Sequence, residues 1–68
     1  MKMRVRVNGE DREFAEAATV ADVLVAFGTP AAGVAVAMDG DVVPRGVWQS
    51  TPLRDGATVE VLTAVQGG

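Results

Sequence analysis

Sixty-eight residues at 7.0 kDa, with six Lys and Arg against nine Asp and Glu for a net charge of −3, leave room for one small domain and none for a second. Cys, His and Tyr are all absent, which removes disulfides, thiolate catalysis, cysteine-based zinc sites and the usual general base. The acidic balance points away from nucleic acid and anionic membranes, both of which select basic faces, and towards a protein partner.

The chain opens on Met1-Lys2 and then alternates: Met3, Val5 and Val7 on one face, Arg4 and Arg6 on the other. That period of two predicts a half-buried strand rather than the continuous apolar core of a signal peptide. No run approaches the length of a membrane span, so the expected compartment is the cytoplasm. Asn8-Gly9 predicts a type I′ hairpin turn, which needs φ > 0 at both central residues. Glu10 to Phe14 then returns as a second, polar strand.

Thr19 and Asp22 form a T-x-x-D capping pattern that opens a helix. Val20, Val23, Leu24 and Phe27 fall at i, i+3, i+4 and i+7, one apolar stripe about two and a half turns long. Gly28 and Pro30 close it. Val34 to Met38 alternates large and small residues as a third strand, and Asp39-Gly40 turns the chain. Val42-Val43 begins a short fourth strand that Pro44 confines to an edge. Arg45 to Pro52 reads as irregular. After the Asp55-Gly56 turn, Thr58 to Val65 is the last strand, with Val59, Val61 and Val65 facing inward and Glu60, Leu62 and Ala64 outward.

One helix covers one sheet face, so the other meets solvent or a partner. If the last strand lies beside the first, Glu60 and Leu62 share that open face with Arg4 and Arg6. Leu62 is therefore a candidate partner-docking residue, and Arg45, which could pair with a partner carboxylate, is a second. Trp48 is read as a packing residue with its N–H satisfied. Asp39, Asp41 and Asp55 stand beside glycines at turns, where backbone bonding favours Asp, so no metal site is assigned. Ser50-Thr51 lacks a His or Cys partner for nucleophilic catalysis.

The chain ends Gln66-Gly67-Gly68. Two terminal glycines arise by chance in roughly 0.5% of chains. Without Cβ they can thread a narrow channel and leave the carbonyl carbon open to attack. A carboxylate is a poor electrophile until its oxygen is joined to AMP. Residues 1–65 are thus expected to form the domain, and 66–68 a flexible reactive tail.

The β-β-α-β-β-β order with terminal Gly67-Gly68 resembles the ubiquitin-like β-grasp fold, an α+β class with one helix on a mixed sheet. More narrowly, the chain resembles the ThiS-like sulfur carriers of thiamine biosynthesis. The matching pieces are the opening strand ending at Asn8, Thr19-Val20, Val36-Ala37-Met38, Val42-Val43-Pro44-Arg45, Trp48, Asp55-Gly56 and Gly67-Gly68. Val-Pro-Arg followed by Trp48 is the most diagnostic internal piece, and the extra Met1-Lys2 is a minor departure.

That resemblance implies a protein cosubstrate rather than an enzyme, monomeric when free and holding no cofactor of its own. An E1-like adenylyltransferase (ThiF-like) would use ATP and Mg to adenylate the Gly68 carboxylate. A sulfur donor protein would displace AMP and leave a thiocarboxylate, and thiazole synthase (ThiG-like) would take the sulfur. Gly67 and Gln66 would thread the partner's active site. A molybdopterin-type (MoaD-like) carrier usually runs longer, with a Phe-rich opening strand and an insertion that are missing here. A ubiquitin-like modifier joined to lysines through Gly68 shares the same activation and stays open, as does a plain interaction domain.

Overall fold

The computed structural model describes residues 2–28 and 33–63. In chain order it contains β1 (Lys2–Val7), β2 (Glu10–Ala15), α1 (Val20–Ala26), β3 (Val34–Met38), β4 (Asp41–Val43), a 3-10 helix (Arg45–Ser50) and β5 (Thr58–Thr63). The five strands form one sheet in the order β2-β1-β5-β3-β4, parallel between β1 and β5 and antiparallel elsewhere. This is the expected α+β β-grasp arrangement. The first and last strands are central, and β4, ended by Pro44, lies at an edge.

Both hairpins turn where the sequence marks them. Asn8 and Gly9 have φ of 50° and 84°, and Asp39 and Gly40 of 52° and 88°, the left-handed pair that matches strand twist. β1 alternates exposed and buried along its whole length. Asp22 accepts the Thr19 backbone N–H at 2.7 Å, so the helix start is tied by its own third residue. The α-helix is seven residues, shorter than the apolar stripe suggests, because Phe27 (ψ 0°) already leaves helical geometry and Gly28 takes φ 64°. Phe27 packs half-buried against the core, with the Arg12 guanidinium 4.7 Å above its ring.

The core is built mostly of valine: Val5, Val7, Val20, Val23, Val36 and Val59 are fully buried. Two expectations need correcting. Arg45 to Ser50 is a 3-10 helix rather than irregular chain. Trp48 makes the difference: it is buried, and its Nε1–H donates to the Val43 carbonyl at 2.8 Å. The segment that follows also pairs, since Val20 N–H reaches the Thr51 carbonyl and Leu53 N–H the Ala18 carbonyl, each at 3.0 Å. The second strand runs one residue further than expected, to Ala15. β5 is described to Thr63, so the expected continuation to Val65 lies outside the described residues.

Candidate functional site

The last strand carries whatever follows Thr63, and it is paired on both sides. On one side β3 pairs with it from Val34↔Thr63 to Met38↔Val59. On the other, Arg6 N–H donates to the Ala57 carbonyl at 2.9 Å and Asn8 N–H to the Val59 carbonyl at 3.0 Å. Side chains complete the anchoring at its N-terminal end: Asp39 Oδ1 accepts from Thr58 N–H at 2.9 Å, and Asp55 Oδ1 from Arg4 N–H at 2.8 Å. Asp39 also pairs with Arg54. Asp39 and Asp55 thus do backbone work, as their turn positions suggest. Among the described residues no group of three or more His, Cys, Asp or Glu could hold a metal ion.

The face of the sheet that the other described residues leave uncovered divides by charge. On β1 and β2, Arg4 faces Glu13 and Arg6 faces Asp11, with ion-pair distances of 3.9 and 3.1 Å. On β5, β3 and β4 the face is apolar apart from Glu60: Leu62 lies opposite Ala35, and Ala37 stands between Glu60 and Val42. Leu62 is 65% exposed and Val42 75%. Glu60 shares the face with the arginines, as expected, but Arg4 and Arg6 pair with the neighbouring β2 instead. Parallel register is the reason, since it sets Arg6 beside Thr58 and carries Glu60 past the end of β1.

Arg45 is elsewhere. It lines a groove between α1 and the 3-10 helix with Ala21, Leu24, Val25, Trp48 and Gln49. Leu62 and Arg45 are therefore not brought together: one sits on the open sheet face, the other on the helical side. Val25, 79% exposed, is a large apolar residue of this groove that the stripe omits. It lies five positions after Val20, off the buried face, and a helical wheel would have shown it. Ser50 and Thr51 both donate to the Val47 carbonyl, at 3.2 and 2.6 Å, a capping role for hydroxyls without catalytic partners. The expected reactive residues Gln66, Gly67 and Gly68 lie outside the described residues.

The model of the ThiS family matches residues 5–68, nearly the whole chain and the diglycine with it. The chain belongs to the ThiS family. Solved ThiS structures agree. The crystal structure of a thiamine biosynthesis protein (ThiS) from Geobacter metallireducens is 33% identical with a TM-score of 0.79, over 97% of this chain and all of that one. A solution structure of a thiamine biosynthesis protein from the same organism gives 33% identity and a TM-score of 0.78, covering 97% of this chain and 88% of the other. A curated relative, a thiazole synthase from Paramagnetospirillum magneticum, is 30% identical over 66 residues, 97% of this chain. The chain spans 20% of the length of that relative.

Proposed function

We propose that this chain is a sulfur carrier of thiamine biosynthesis whose working group is the carboxylate of Gly68. The observation that carries this reading is the ThiS family match over residues 5–68, Gly68 included. A Gly68 carboxylate oxygen attacks the α-phosphorus of Mg-bound ATP on an E1-like adenylyltransferase, and pyrophosphate leaves. The acyl-adenylate carbonyl is then attacked by hydrosulfide supplied by the sulfur donor, and the new C–S bond replaces the C–O bond to AMP. AMP departs with the original carboxylate oxygen, leaving a thiocarboxylate. Thiazole synthase is the proposed acceptor, a reading supported by the relative of that name.

The chain supplies the carried group and a rigid platform, while its partners supply the catalytic side chains and bind the nucleotide and Mg. Gly67 and Gln66 lead Gly68 into those active sites, and Leu62 and Arg45 offer contacts on two separate faces. The proposed compartment is the cytoplasm, and the free chain is proposed to be a monomer. No helix among the described residues is long and apolar enough to cross a membrane.

Intact-mass measurement tests the reading. Incubated with the adenylyltransferase, Mg-ATP and a sulfur source, the chain should gain one sulfur-for-oxygen increment, and thiazole synthase with its other substrates should discharge it. Removing Gly68 should stop the gain while the melting curve stays as in the wild type. High-mass conjugates would instead make the chain a protein modifier, and an unchanged mass would sink the carrier role.

A further inference from the structure

The parallel ladder between β1 and β5 advances on alternate residues, and its next rung requires a β1 carbonyl for the N–H of Val61. β1 has turned away by that point, because Asn8 stands at φ 50° and leads into Gly9 at φ 84°. The Asn8 side chain fills the rung instead. Its Oδ1 accepts from Val61 N–H at 2.8 Å, and its Nδ2 donates to the Val61 carbonyl at 3.1 Å. A carboxamide carries the same donor and acceptor as a peptide group. One side chain thus stands in for one residue of strand, across 53 positions of sequence.

We propose that Asn8 is a positioning residue for loading of Gly68: its carboxamide clamps β5 at Val61 and sets the direction in which the chain leaves the domain. This rests on the sulfur-carrier reading. Past Val59, among the described residues, β5 is held on its β1 side by Asn8, while β3 holds the opposite edge through Val34↔Thr63. Residues 62–68 can reach at most ~23 Å at ~3.3 Å each. Because that reach is finite, the place where the clamp fixes the end of β5 decides how often the Gly68 carboxylate comes within about 3.5 Å of the atom it attacks. Asn8 touches neither nucleotide nor carboxylate. It acts through β5.

Asn8→Gly isolates the clamp, because Gly accepts the positive φ of the turn and removes only the carboxamide. Hydrogen exchange should show the protection of the Val61 amide falling roughly tenfold, with the Val5 and Val7 amides unchanged. Loading by the adenylyltransferase with Mg-ATP should lose about tenfold in kcat, with KM for the carrier held within about twofold. That split follows because the docking faces stay intact while the carboxylate arrives in place less often. Asn8→Asp keeps the acceptor for Val61 N–H but turns an oxygen on the Val61 carbonyl. At neutral pH repulsion between that oxygen and the Val61 carbonyl should open the clamp and lower Val61 protection below wild type. Protonation below about pH 4 restores a donor, and protection should then return relative to wild type at the same pH.

Unchanged Val61 protection in Asn8→Gly overturns the clamp. If that variant fails to fold, pH-independent protection in Asn8→Asp overturns it equally. Lost protection with wild-type kcat, or a change confined to KM, overturns the positioning role. A wild-type chain that takes up no sulfur overturns the carrier reading and Asn8's part in it, while the exchange result still decides whether the clamp exists.

Discussion

Leu24 is 4% exposed and belongs to the core cluster with Val5, Val7, Val23 and Trp48. Truncation there leaves a hole that a valine-rich, β-branched core cannot close by rotamer change. Leu24→Ala should cost ~2–5 kcal/mol. In a domain this small each kcal/mol moves the melting temperature by ~4–8 °C, so thermal unfolding by circular dichroism should shift down by roughly 10 °C or more. The exposed Arg6–Asp11 pair, with side chains 59% and 51% accessible, contributes less than about 1 kcal/mol. Asn8 is the residue whose sequence reading was incomplete. Asn-Gly announces a turn, and it does make one, but the amide's second task depends on a strand 53 positions away.

At the scale of elements, α1 is too short to persist alone, since isolated helices below about 12 residues are marginal in water. Its seven residues rely on the tie at its start and on packing. Asp22 accepts the Thr19 N–H and sits in the first turn, where negative charge favours the helix dipole. Asp22→Ala should therefore lower stability by ~1 kcal/mol, read as a lower urea midpoint with an unchanged slope. The 3-10 helix shows the opposite relation between pattern and outcome. Arg45 to Ser50 has no apolar period, so its order is not written in local composition. It comes from Trp48 anchoring to the Val43 carbonyl and from the pairing of Thr51 with Val20, at the start of α1, and of Leu53 with Ala18.

For the whole molecule, the sheet divides the surface into two unlike sides. One is occupied by α1 and the 3-10 helix. The other is half ion-paired and half apolar, with Leu62 and Val42 the large exposed residues. A carrier that is handed between partners needs faces for them and a body that stays folded throughout. Leu62→Asp tests whether the apolar half serves loading. Its melting temperature should match the wild type, because Leu62 is 65% exposed. KM for loading should rise roughly tenfold, the order expected when a leucine no longer transfers from water to a contact. An unchanged KM would move docking to another surface, the Arg45 groove among them.

What could be read from the chain itself was local: the strand period of Met3 to Val7, the turns at Asn8-Gly9 and Asp39-Gly40, the start of α1 at Thr19, the inward Trp48, and the resemblance carried by short motifs through Gly68. Turns, caps and alternation are set by residues within a few positions of one another, so they are legible without a fold. Strand neighbours, the separation of Leu62 from Arg45 and the Asn8 clamp on Val61 waited for the tertiary structure. Each depends on contacts between distant segments, and their register follows from how the valine core closes rather than from any nearby residue.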